Sequence, residues 1–117
     1  MRVAAIQMNS GAEVSLNLEL ADRLLGEAAT DGCELAVLPE NFALMPERGR
    51  DKARHAERAG DGPIQAFLSD AAVRHGLWLV AGSMPLVSPA IDEERVYGAC
   101  PVYDLSLIHI SEPTRLQ

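Results

Sequence analysis

The 117-residue chain predicts an α/β fold built on a largely parallel sheet. Three short apolar runs, residues 3–8 (VAAIQM), 35–38 (LAVL) and 77–81 (LWLVA), have the length and composition of strands. Two stretches with apolar residues at helical spacing, residues 13–30 and the segment opened by Gly62-Pro63, lie between them. Strands that alternate with helices imply parallel neighbours joined by right-handed crossovers.

Each element has its own local reason. The first run starts on a β-branched residue and reads as a buried strand, broken by Ser10 and Gly11. In residues 13–30, Leu16, Leu20 and Leu24 fall on one line with Ala21, Leu25 and Ala28 beside it, while Asn17, Asp22, Arg23 and Glu27 fall on the opposite side. Gly32 stands where a left-handed helix cap is expected. Residues 35–38 are uninterruptedly apolar, as in a strand buried on both faces, and Pro39 ends them because it has no N–H for a ladder. Residues 45–60 are charged and read as a loop, or a loop with a short exposed helix around residues 51–58. Asp61 or Gly62 can cap a second helix that starts at Pro63, carries the stripe Ile64, Phe67, Leu68 and Ala71, and closes at Gly76. Residues 77–81 form the third strand, 85–94 a loop or hairpin connection, and 96–103 a fourth strand antiparallel to its neighbour. So small a sheet is expected to leave one face uncovered and to be marginally stable.

Composition narrows the function classes. Ten Lys and Arg against 17 Asp and Glu give a net charge of −7, which argues against non-specific binding to nucleic acid or anionic membranes. Apolar residues at 48% and charged residues at 23% describe a chain that folds. No apolar run approaches the roughly 20 residues that span a bilayer, and the opening MRVAAIQM is too short for a signal-peptide core. Cys33 and Cys100 make no disulfide framework, so a reducing, cytoplasmic setting is expected. Five aromatic residues are too few for a base-stacking platform. No zinc-type spacing, Gly-rich phosphate loop or internal repeat is present.

The leading candidate for chemistry is Glu40. Functional groups in open α/β sheets gather beyond the carboxyl ends of strands, and Glu40 directly follows LAVLP. A carboxylate there suits a general base, and burial near Phe42 would raise its pKa toward neutrality. Asn41 and Phe42 are candidates for the lining of a pocket, and part of the charged loop 47–58 for its rim. Cys100 invites a nucleophile's role, but it lies in an apolar run between Ala99 and Pro101, where packing is the better reading; Cys33 reads the same way. His55 and His75 read as surface residues, the latter complementing a helix end.

Four blocks of the sequence resemble the nitrilase-type carbon–nitrogen hydrolase superfamily in order and spacing. MRVAAIQMNS resembles its first strand, and DGCELAVLPENF its most specific block, which ends in Leu-Pro-Glu. GPIQAFLSDAAVRHGLWLVAGSMP is similar to its second helix and following strand, and RVYGACPVYD to the strand that precedes the family's lysine. The resemblance covers residues 1–104 and implies the amino-terminal part of an αββα four-layer sandwich, truncated. It implies an amidase-type hydrolase acting on a small-molecule amide through a Glu-Lys-Cys triad, with no metal and no organic cofactor. Only the Glu maps onto this chain, as Glu40; the Lys and Cys would lie downstream, so the 117 residues alone are expected to be inactive. The intact protein is expected to be a homo-oligomer, with no nucleic-acid or membrane partner. Residues GLWL and ENFAL are most similar to amidases of the deaminated-glutathione and ω-amidase kind, and Tyr97-Gly98 departs from the family's Tyr-Asn. The rival reading is a catalytically inactive short α/β ligand-binding module in which Glu40 orients a ligand.

The last stretch stands apart. Residues 105–115, LSLIHISEPTR, resemble the in-frame translation of a sequencing-library adapter. The expectation is a partial hydrolase domain over residues 1–104 and a non-native tail over 105–117, in which His109 carries no functional meaning.

Overall fold

The computed structural model describes residues 1–45, 55–58, 60–87, 96–103, 108–110 and 115–116. Its helices are α1 (Val14–Thr30) and α2 (Pro63–His75). Strands β1 (Val3–Ala5), β2 (Leu35–Val37), β3 (Trp78–Val80), β6 (Pro101–Tyr103) and β7 (Ile108–Ile110) form one sheet in the order β1-β2-β3-β6-β7. Strands β4 (Met84–Val87), β5 (Val96–Ala99) and β8 (Arg115–Leu116) form a second, in the order β4-β5-β8. The first three strands are mutually parallel, as the alternation of strands and helices predicts, and β6 runs antiparallel to β3.

The sheet's two faces follow from the period of two along each strand. Ala4, Ala36, Leu79 and Tyr103 are in register across four strands and lie under the helices. Leu79 and Tyr103 are fully buried there, together with Ala21 and Leu25 of α1 and Leu68, Ala71 and Ala72 of α2. The neighbouring rows, Val3-Leu35-Trp78 and Ala5-Val37-Val80, point the other way. That face is open: Val3 is 52% and Trp78 44% exposed. The first strand is therefore an edge strand with one wet face, and it ends at Ala5 rather than running to Met8; beyond it Ile6 and Met8 still pack on the core.

Helix α1 corrects the predicted stripe. Its buried line is Asn17, Ala21, Leu25 and Ala28, whereas Leu16 is 60% exposed. The apolar surface is rotated by about one residue: Leu20 and Leu24 are only half-buried, and Val14 and Leu18 pack on the core instead. Gly32, at φ +85°, closes the helix as expected, with Cys33 N–H donating to Ala28 O and Gly32 N–H to Ala29 O. Gly76 closes α2 in the same left-handed conformation. The helices are tied where Asp22, midway along α1, accepts from Arg74 and meets His75 at the end of α2, each at 2.9 Å. The Arg74 guanidinium, then His75, holds the Asp22 carboxyl below the usual range.

Two expectations late in the chain are corrected. Residues 96–103 form two strands in different sheets, joined at half-buried Cys100, because Pro101 starts a new strand rather than continuing the old one. The connection expected from residue 85 is in part a strand, since β4 pairs antiparallel with β5 and places Pro85 opposite Gly98. A proline is tolerated there because β4 is an edge. The predicted short helix around 51–58 lies mostly outside the described residues; Glu57 and Arg58 are bridged to Leu86 and Asp61. The tail adds β7 to β6 and β8 to β5. A free sheet edge takes up an extended segment through backbone hydrogen bonds, so this pairing is independent of where the segment comes from.

Candidate active site

Glu40 stands just past the carboxyl end of β2, at the edge of the parallel strands. Backbone pairing carries β2 beyond its last ladder residue: Leu38 N–H donates to Val80 O at 2.8 Å, and Glu40 bridges Ser83 in parallel. Gly82 makes that pairing possible. Its φ is +74°, and a Cβ there would lie 2.5 Å from both Leu38 O and Pro39 O. A glycine beyond a strand end is the sequence signal for such a close approach, and the sequence reading passed over it.

The Glu40 side chain is exposed and makes no hydrogen bond or ion pair among the described residues. Its expected burial against Phe42 is not found. Asn41 has φ +56° and turns the chain, so that Phe42 goes into the core at 0% exposure while Glu40 stays outside. Asn is among the few residues that take this conformation readily. Phe42 is thus a packing residue rather than a pocket wall; Asn41 is half-buried at the turn, with its N–H donating to Ser83 O at 3.3 Å.

The segment after Glu40 is strapped to the start of the molecule. Ser10 Oγ donates to Phe42 O at 2.7 Å. Asn17 Nδ2 donates to Ala43 O at 2.7 Å and to Gly11 O at 2.9 Å, while its Oδ1 accepts from Gly11 N–H at 2.9 Å. Met45 N–H also donates to Gly11 O. Asn17 is 4% exposed. Sequence reading put it on the wet side of α1; the overlooked signal is that it continues the line of 21, 25 and 28.

A second glutamate is buried. Glu57, 7% exposed, accepts from Ile64 N–H (2.6 Å), Gln65 N–H (3.0 Å) and Gln65 Nε2 (3.1 Å). It therefore caps the first turn of α2 from outside the helix, a place where both the free N–H groups and the helix dipole favour a carboxylate. Gly62 admits it: φ is +143°, and a Cβ there would collide with the Glu57 carboxylate. Tyr103 lies within reach of the Glu57 charge. Its hydroxyl is buried without a partner among the described residues, and burial, then Glu57, pushes its pKa up to about 12.

The other candidates do not gather at Glu40. His55 is exposed, and His75 joins the helices. Cys33 packs half-buried against the core. Cys100 is half-buried at the joint before β6, with β3 between it and the line of β2; two strand spacings are roughly 10 Å, too far for direct proton transfer to Glu40. Among the described residues no group of His, Cys, Asp and Glu could hold a metal ion.

Known proteins match this arrangement. The carbon–nitrogen hydrolase family model matches residues 2–106. A deaminated glutathione amidase of Yersinia enterocolitica is 35% identical over 86 residues, covering 74% of this chain and 29% of that protein. An omega-amidase of Danio rerio is 33% identical over 102 residues, covering 87% of this chain and 35% of its own length. The chain thus spans about a third of the curated relatives it matches. A solved nitrilase-superfamily protein of Saccharomyces cerevisiae superposes with a TM-score of 0.73 at 21% identity, over 98% of this chain and 42% of the other. The fold is accordingly the amino-terminal part of the nitrilase-like αββα sandwich, a helical layer on the five-stranded sheet with the three-stranded sheet beside it. With that family's model matched over residues 2–106, the chain belongs to the carbon–nitrogen hydrolase family.

Proposed function

We propose that this chain is the amino-terminal part of an amidase that hydrolyses a small amide, and that Glu40 is its general base. The observation that carries the reading is the position of Glu40. Its carboxylate projects from the carboxyl end of a parallel strand, on a backbone pinned by Ser83, and engages no other described group. The relatives named as amidases supply the reaction class.

In this reading a lysine and a cysteine from beyond residue 104 complete the site. Glu40 takes the thiol proton, and the sulfur attacks the amide carbon. The lysine ammonium stabilises the resulting oxyanion. The carbon–nitrogen bond breaks, Glu40 returns its proton to the departing nitrogen, and ammonia or an amine leaves. Glu40 then takes a proton from water, whose oxygen attacks the thioester carbon; the carbon–sulfur bond breaks, and Glu40 passes that proton to the departing sulfur, leaving the carboxylic acid and the thiol. No step needs a metal or an organic cofactor. The intact enzyme is proposed to be a cytoplasmic homo-oligomer, and the open face with Val3 and Trp78 to be covered by residues from beyond 104.

The test is to sequence the source locus across codon 104, then to assay both the 117-residue product and the extended one for ammonia release from small amides. The extended frame should carry a Lys on the next strand and a later Cys, and should be active where the short product is inactive. A genomic frame that ends at Gln117 would contradict the reading and favour a binding module.

A further inference from the structure

The brace behind Glu40 has a chemistry that helix packing does not require. Asn17 is buried in the line of Ala21, Leu25 and Ala28, where an apolar residue would serve α1 equally well. Instead, its amide spends one acceptor and two donors on three backbone groups: Gly11 N–H, Gly11 O and Ala43 O. Those groups belong to the turn after β1 and to the segment three residues past Glu40. Ser10, in the same turn, holds the carbonyl one residue nearer, at Phe42. On its other side the chain is held where Leu38 N–H donates to Val80 O, and Glu40 itself pairs with Ser83. The exposed carboxylate therefore rides on a short peptide clamped at both ends, with a left-handed Asn41 between the clamps.

We infer that Asn17 and Ser10 are positioning residues for Glu40: they fix the chain that leaves it, and so fix where its carboxylate meets the reacting atoms. The inference rests on the reading of Glu40 as the base. A base must lie within hydrogen-bond reach of the proton it takes, and small displacements lower the rate steeply. An aspartate at 17 has the shape of asparagine but no N–H to give, so it would face the Gly11 and Ala43 carbonyls with a carboxylate.

The experiment compares Asn17→Asp, Ser10→Ala, Glu40→Gln and Leu25→Ala in the extended enzyme, reading kcat, KM and melting temperature on a small amide. Leu25 is fully buried in the same helix but outside the brace. Asn17→Asp should lower kcat on the order of 10–100-fold with KM changed less than about two-fold, because the loss falls on the chemical step and not on binding. Ser10→Ala should lower kcat by about three- to ten-fold in the same pattern. Leu25→Ala should lower the melting temperature and leave kcat within about two-fold. If folded Asn17→Asp keeps kcat within that range, or if Leu25→Ala loses as much kcat, the inference is overturned. If Asn17→Asp does not fold, Ser10→Ala decides: unchanged kcat overturns it. A Glu40→Gln variant that stays active shows instead that the base was misassigned, which takes the inference with it; the two failures differ in whether Glu40→Gln is dead.

Discussion

Glu40 and Glu57 are two carboxylates of one chain in opposite situations. Glu57 is buried, capped onto α2 and fully occupied by Ile64 and Gln65. Glu40 is exposed and unoccupied among the described residues. A search for function by burial alone would stop at Glu57. The difference teaches that burial marks a carboxylate with a structural task when its oxygens are already taken by backbone N–H groups. A base needs oxygens that are still available, held on a backbone that is not.

The contrast can be broken at several points. The largest effect is expected at Glu40 itself: in the extended enzyme, Glu40→Gln should lower kcat/KM by about 10²–10⁴-fold while the denaturation midpoint stays in place. Gly62→Ala should destabilise the fold by about 2–4 kcal/mol, since its Cβ meets the Glu57 carboxylate and the residue needs φ +143°; urea denaturation of the chain would read it. Glu57→Ala leaves two buried N–H groups of α2 uncapped and should destabilise by about 1–3 kcal/mol, and in the extended enzyme it should leave kcat/KM nearly unchanged at temperatures where the protein is folded. An effect on kcat/KM as large as that of Glu40→Gln would erase the contrast.

Tyr103 gives an effect of similar size that appears only at alkaline pH. Its pKa is about 12 in the fold against 10.0 as the ordinary value. The folded state favours the neutral phenol, so the contribution is intact below pH 10 and is lost as pH rises from there toward 12, in all about 2–3 kcal/mol. Tyr103→Phe should remove this alkaline loss and be neutral or slightly stabilising at pH 7, because the hydroxyl it deletes has no partner among the described residues. The smallest effect is expected at Asp22, whose pKa is lowered by Arg74 and His75. Its contribution is present above the ordinary carboxylate range and is lost as pH falls through and below about 4. Asp22 and Arg74 are 37% and 44% exposed, so Asp22→Asn should shift stability by less than about 1 kcal/mol.

The parallel strands and both helices were legible because their signals are local: apolar runs of strand length, a Gly-Pro start, and Gly32 and Gly76 at the stops. The position of Glu40 was legible for the same reason, as the residue after a strand and a proline. What was not legible depends on pairing at a distance. Pro101 marks a break within residues 96–103, but which sheet each half joins is fixed by partners at β3 and β4. The open face hid the edge character of β1, whose apolar residues suit burial on both sides. Asn17 and Gly82 each serve a contact with a segment distant in the chain, and Glu57 one with the start of the next helix, so the residues alone put Asn17 on the surface and Glu57 in a loop and gave no sign of Gly82.

The most direct test of the account is kcat/KM for Glu40→Gln beside Glu57→Gln in the extended enzyme, each with its denaturation midpoint. The account predicts that the first loses catalysis and keeps its stability, while the second keeps catalysis and loses stability. A Glu40→Gln enzyme within about ten-fold of the parent, far short of what removal of a general base brings about, would contradict it.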